Sequence, residues 1–104
     1  MKKYCVIVTT FSSDKTGSGI IHALLNEELA ACVQVLPIKS FYKWKGKLST
    51  GREKLMLIKA KTRDFGRIKR TIIENHDYQT PEIISLRIEN GSAAYFKWMD
   101  EVIK

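Results

Sequence analysis

His76-Asp77-Tyr78-Gln79-Thr80-Pro81-Glu82 puts an imidazole and carboxylates within one short stretch. A histidine with a carboxylate nearby can hold a divalent transition metal or move a proton near neutral pH. A closed zinc site asks for about four ligands, and this stretch alone falls short of that. A histidine that ends an apolar helix face also acts as a cap, because the helix dipole favours a cation there. Both readings start from His76.

Phe41-Tyr42-Lys43-Trp44-Lys45-Gly46-Lys47 is the densest run of aromatics and lysines. It could stack bases and contact phosphates of a single-stranded nucleic acid. It could equally be a long hairpin with one apolar face on a neighbour and a solvated lysine face. Aromatic residues anchor protein interfaces, which favours the second reading. Neither Tyr4–Thr10 nor Glu53–Lys61 carries the aromatic-rich pattern of an RNA-recognition sheet, so a nucleic-acid partner ranks last. Cys5 and Cys32 lack the spacing of a redox or zinc motif and read as core packing. Gly17-Ser18-Gly19 lacks a full phosphate-loop pattern and reads as a loop or helix entry. Asn90-Gly91-Ser92 reads as a turn and helix cap. His22 has Asn26, not a second ligand, one helical turn on. With no nucleophile–base pair to name, nothing makes a case for an enzyme.

These residues sit on elements that alternate quickly. The chain of 104 residues carries no repeat or linker and is expected to form one domain over residues 1–104. Tyr4–Thr10 is predicted as a strand, and Thr16–Glu28 as a helix with Ile20/Leu24 and Ile21/Leu25 at helical spacing. Ala30–Trp44 reads as a long second strand. Pro37 cannot donate to a ladder and should mark an edge or a bulge. A turn at Lys45-Gly46-Lys47 leads to a third strand at Glu53–Lys61. Thr62 is expected to cap a helix whose apolar face runs Phe65, Ile68, Ile72, His76. Pro81–Ile88 is the fourth strand, and Ser92 caps a last helix through Tyr95, Met99 and Val102.

The order β-α-β-β-α-β plus a C-terminal helix is the α+β, ferredoxin-like split βαβ arrangement, with an antiparallel sheet and a long hairpin. Its first and third strands lie centrally. Here they carry continuous apolar runs, Cys5-Val6-Ile7-Val8 and Leu55-Met56-Leu57-Ile58. A sheet with helices on one face only should alternate, so both faces are expected to be buried. The last helix could cover the second face. A homo-oligomer that packs sheet against sheet is the stronger expectation.

Charge and length limit the partners. Lys and Arg exceed Asp and Glu for a net charge of +7, which permits an anionic partner without requiring one. No apolar run nears the ~18 residues of a membrane helix. The apolar stretch after Met1-Lys2-Lys3-Tyr4 is shorter than the ~7–15 residues of a signal-peptide core. A cytoplasmic, reduced protein without a membrane partner is expected.

Ala30-Ala31-Cys32-Val33-Gln34, then Tyr42-x-Trp44-x-Gly46-x-Leu48, Glu53 and His76-x-Tyr78-x-x-Pro81-Glu82-Ile83 together resemble the CutA-type divalent-cation tolerance family. The likeness runs in order along nearly the whole chain. It implies a ferredoxin-like homotrimer whose hairpins reach across neighbouring subunits, with a role in tolerance of, or response to, copper and other divalent cations. It also implies likeness to the trimeric PII signalling proteins, which bind small ligands between subunits. By that likeness Trp44, Tyr78 and Glu82 are candidates to line an inter-subunit cleft for a small anionic ligand. His76 is the candidate metal ligand for Cu²⁺ or another divalent cation, with Glu82 or Asp77 as helpers. Some family members hold copper through a first-strand Cys and a His-His pair. This chain has Thr9 and Asn75-His76 there, with Asp77 for the usual Pro and Gln34 for the usual Asn. Thiolate and imidazole select copper, and one of each is missing, so the expected metal binding is weak.

Overall fold

A computed structural model describes residues 2–104. Strand β1 (Tyr4–Phe11) leads to helix α1 (Asp14–Asn26). Strands β2 (Ala30–Trp44) and β3 (Lys47–Lys61) form a long hairpin. A 3-10 turn at Thr62–Asp64 precedes helix α2 (Phe65–Asn75), strand β4 (Ile84–Arg87) and helix α3 (Ala93–Val102). The sheet order is β2-β3-β1-β4, with every neighbouring pair antiparallel and the first and third strands central. The fold is the α+β, ferredoxin-like arrangement that the element order implies.

Alternation along the strands divides the sheet into two faces. Cys5, Ile7 and Phe11 of β1 join Met56, Ile58 and Ala60 of β3 on one face. Ile20 and Leu24 of α1 and Ile68 and Ile72 of α2 close over them to make the core. Their spacings are those of one helix face. The end of α1 is a Schellman closure: Leu29 N–H bonds Leu24 O at 3.0 Å and Glu28 N–H bonds Leu25 O at 3.1 Å. Glu28 takes the left-handed position there, at φ 57°.

The other face carries Val6, Val8, Leu55 and Leu57, flanked by Leu36, Ile84 and Leu86. Helix α3 takes only one end of it. The Tyr4 and Phe96 rings stack in parallel at 4.2 Å. Tyr4 O–H donates to Asp100 Oδ1 at 2.9 Å, and Lys61 Nζ lies 3.1 Å from the same oxygen. Beyond this end Ile84 stays 47% and Leu86 55% exposed.

The hairpin runs past the sheet. Phe11, the last residue of β1, pairs with Lys54, so Lys47–Glu53 and their partners Ile38–Trp44 project as a two-stranded ribbon. The third strand therefore begins at Lys47, not Glu53. Ser49, Thr50 and Gly51 give no strand signal because the ribbon has no core beneath it. The turn is the two residues Lys45 and Gly46, at φ 52° and 77°, the primed geometry that matches strand twist.

Other expectations shift at their edges. Helix α1 starts at Asp14, because Ser13 caps it by accepting from Thr16 N–H at 3.1 Å. Gly17, Ser18 and Gly19 are thus inside the helix, where Gly17 lets the Phe11 ring approach. Thr62 does not cap α2; its N–H extends the sheet to Lys3 O at 2.9 Å, and a 3-10 turn intervenes. Strand β4 is shorter than Pro81–Ile88. Pro37 sits within a continuous β2 at the sheet edge, opposite Lys54, and the register shift falls at Ala30/Cys32 instead. Cys5 is core, whereas Cys32 is only half-buried, since it lies on the face that α1 and α2 leave uncovered.

Candidate functional site

The ribbon and the chain after α2 form the two walls of a cleft of about 740 Å³. The tight turn sets the register: Trp44 opposes Lys47, Tyr42 opposes Ser49, Ser40 opposes Gly51 and Ile38 opposes Glu53. Paired residues share a face, so Trp44, Tyr42 and Glu53 all project from the same side of the ribbon. Tyr78 and Glu82 line the cleft from the other wall, and Thr10 and Ser12 close its floor. Trp44, Tyr78 and Glu82, far apart in sequence, therefore border one space. The cleft opens on the sheet face that the helices leave uncovered.

Hydrogen bonds fix the Tyr78 side. Tyr78 O–H donates to Glu53 Oε1 at 2.8 Å, and the Ser12 hydroxyl donates in turn to the Tyr78 oxygen. Burial, above all, pushes the Tyr78 phenol above its ordinary value; Ser12 opposes that rise, and the neighbouring Glu53 carboxylate adds to it. A phenol that keeps its proton remains the donor that holds Glu53 in place.

His76 stands behind this wall, with its side chain fully buried. It is the C-cap of α2, in extended conformation, rather than the last residue of the helix face. Its Nε2–H donates to Thr10 O at 2.7 Å, and its Nδ1 accepts from Tyr78 N–H at 3.1 Å. This fixes the neutral tautomer. Asp77 Oδ1 lies 3.5 Å from Nδ1, but that nitrogen already spends its lone pair on an amide. A metal at His76 must displace one of these bonds. Among the described residues, no three or more His, Cys, Asp or Glu side chains gather as a metal group. Thr9 is buried in the sheet, and Asn75 Nδ2 donates back to Thr71 O at 2.8 Å.

The charge balance of the cleft differs from that of the chain as a whole. Glu53 and Glu82 line it, and Arg52 is its one cationic lining residue among those described. Arg52 also springs from the opposite side of the ribbon, with Lys39 and Lys43. The same sorting separates the aromatic–lysine run. Tyr42 and Trp44 face the cleft, while Lys39 and Lys43 face away, with Lys39 Nζ 5.4 Å from the Phe41 ring centroid. Of the three rings only Phe41 shares a ribbon face with these lysines; Tyr42 and Trp44 stand on the other.

Tyr42 and Glu53 are positions of the spaced motif that the motif itself does not assign to the cleft, and Ser12 lies outside the motif. A signal for the first two existed. A two-residue turn at Lys45-Gly46 fixes which residues oppose each other, and so which side chains share a face with Trp44. Nothing in the sequence marks Ser12, which arrives through the end of β1.

Comparison with other proteins agrees with this architecture. Residues 5–102 match the model of the family described as CutA1 divalent ion tolerance protein. The divalent-cation tolerance protein CutA of Thermus thermophilus is 36% identical over 97 residues, 92% of this chain and 94% of the relative. Its counterpart in Archaeoglobus fulgidus is 35% identical over 98 residues, 94% of this chain and 96% of the relative. The solved structure of the periplasmic divalent cation tolerance protein CutA from Archaeoglobus fulgidus superposes with a TM-score of 0.93 at 34% identity, covering 97% of this chain and 99% of that one. CutA1 from Oryza sativa superposes with a TM-score of 0.93 at 31% identity, covering 99% and 95%. Matched by the family model over residues 5–102 and by these relatives over more than nine-tenths of its length, this protein belongs to the CutA1 divalent ion tolerance family.

Proposed function

We propose that this chain serves divalent-cation tolerance as a cytoplasmic homotrimer, and that its working site is the cleft lined by Trp44, Tyr78 and Glu82. The role is binding rather than catalysis. One observation carries the reading: the cleft opens onto an apolar sheet face of which helix α3 covers only one end, leaving Ile84 and Leu86 exposed. An isolated two-stranded ribbon is marginal in water, so the projecting hairpin needs a neighbour to rest on. A second and third copy would cover the face and the ribbon together, and would turn the cleft into a space between subunits. The residues fit one domain over the whole chain.

Copper contact at His76 is weak in this reading, because the imidazole is already committed through both nitrogens. The test is sedimentation equilibrium of chelator-treated, untagged protein, followed by calorimetric titration with Cu²⁺ beside His76→Ala. A trimer mass and no tight Cu²⁺ site support the reading. A monomer would remove the assembly. Tight binding of one ion per subunit, abolished by His76→Ala, would move the working site from the cleft to His76.

A further inference from the structure

We propose that the cleft binds a small organic cation, an ammonium group carried on a compact apolar body, between the Trp44 and Tyr42 rings and the Glu53 and Glu82 carboxylates. The proposal rests on the reading of the cleft as the ligand site and names the chemistry of what enters it.

The first support is a reversal of charge. The chain as a whole is strongly basic, at +7. The cleft nevertheless receives carboxylates from both walls, Glu53 from the ribbon and Glu82 from the segment after α2. Strand alternation sends Lys39 and Lys43 to the far side of the ribbon; Arg52 springs from that side too but still lines the cleft, its one cation against two carboxylates among the described residues. Lys47 shares the cleft face directly opposite Trp44, though it is not among the residues that line the cleft. Two carboxylates, one on each wall, against the single Arg52 guanidinium leave the lining net negative, which favours a cation over an anion.

The second support is the aromatic wall. Trp44 is 54% and Tyr42 46% exposed. They are two residues apart on one strand, so both rings stand on the cleft side. The face of an indole or phenol ring attracts a cation, and the attraction grows when water is excluded. Glu53 is fixed beside them, because its Oε1 accepts from Tyr78 at 2.8 Å. A preset carboxylate next to aromatic faces is chemistry for an alkylated ammonium. A small hard metal ion has less to gain: it asks for about six oxygen ligands, and rings supply none. The volume of about 740 Å³ suits a small organic molecule.

The test is calorimetry on the full, chelator-treated chain with choline, its neutral tert-butyl analogue, inorganic phosphate, AMP and Mg²⁺. Choline should bind saturably, with the neutral analogue weaker by about three- to thirty-fold, the range a cation–π contact supplies. Trp44→Leu and Glu82→Gln should each weaken choline within that same approximate range. Sedimentation of each variant is run beside the titration; Glu82→Gln lies outside the ribbon and reads the carboxylate even where Trp44→Leu alters the assembly. Equal binding of choline and the neutral analogue would overturn the proposal, as would choline binding indifferent to both substitutions. Phosphate or AMP binding that depends on Trp44 would overturn it too, while keeping the cleft as the ligand site. Mg²⁺ binding lost in Glu82→Gln, without choline binding, would hand the carboxylates to a metal. Failure of every probe would remove both this proposal and the cleft reading.

Discussion

Tyr78 donates its backbone N–H to His76 Nδ1 across 3.1 Å, so the histidine orders the residue that in turn holds Glu53. His76 Nε2–H ties the same segment to Thr10 O of β1. The imidazole is a buried strut between the central sheet and the cleft wall. Replacing it by alanine leaves a buried carbonyl without its donor and opens a cavity. His76→Ala should therefore lose about 2–4 kcal/mol of stability. Denaturant unfolding with and without chelator checks the cause. A strut gives the same loss in both conditions, whereas a metal ligand gives a loss that chelation of the wild type reproduces.

The phenol of Tyr78 makes a second, pH-dependent prediction. Burial raises its folded value above the ordinary 10.0. The folded state then holds this proton more tightly than the unfolded chain does. Its contribution is full below the unfolded value and is lost as pH rises through the higher folded one. Spectroscopic titration should show one tyrosine ionising after the others, and Tyr78→Phe should delete that last step. Loss of the bridge to Ser12 and Glu53 should also cost about 1–2 kcal/mol at neutral pH. An unchanged final step would mean that another tyrosine is the late one.

Helix periodicity at Ile20/Leu24 and Ile68/Ile72, and continuous apolar runs in β1 and β3, make the fold and its central strands legible from residues alone. The spaced run from Tyr42 to Glu82 names Trp44, Tyr78 and Glu82 as cleft candidates, and the fold brings all three to the border of one space. Two kinds of information were not local. The outer ribbon has no core of the chain beneath it, so its third-strand arm can be polar at Ser49–Gly51 and hide its strand character there. His76 at helical spacing from Ile72 suggests one more turn of core face; in the fold it caps the helix and turns back to Thr10. A spacing rule cannot see a tertiary acceptor. Net charge is no guide to one cleft for a related reason: +7 belongs to the whole chain, while the fold decides which charged residues line a given space.

Asp100 is the latch of α3. The Tyr4 hydroxyl above all, with Lys61 and Lys3 behind it, holds its carboxyl below the ordinary aspartate value of 3.8, against an opposing effect of burial. A depressed carboxylate stabilises the fold above its unfolded value, and that support disappears as pH falls through the folded one. Asp100→Asn should be less stable than wild type at neutral pH, and the two curves should converge as pH drops below about 4. Amides from Met99 to Ile103 should exchange faster in the variant, because Lys61 then lies buried beneath α3 without a carboxylate. Parallel acid curves would show that other groups control the docking of this helix.

The uncovered sheet face offers a last, decisive substitution. Leu86 stands opposite Val6 on β4, on the side away from the core, and is 55% exposed. An aspartate there costs the isolated chain little, since the carboxylate stays in water. If other copies cover this face, the same carboxylate is buried without a partner in every subunit, at several kcal/mol each by order of magnitude. Leu86→Asp should therefore retain its circular dichroism at low concentration while its sedimentation mass falls from trimer to monomer. The ribbon, having lost its support, should then show faster exchange at Ser49–Gly51 than at Met56 or Ile58 in the core. A trimer that tolerates the charge would place the interface elsewhere, on the ribbon alone. Collapse of the monomer fold itself would show instead that β4 depends on its neighbours to stay paired with β1.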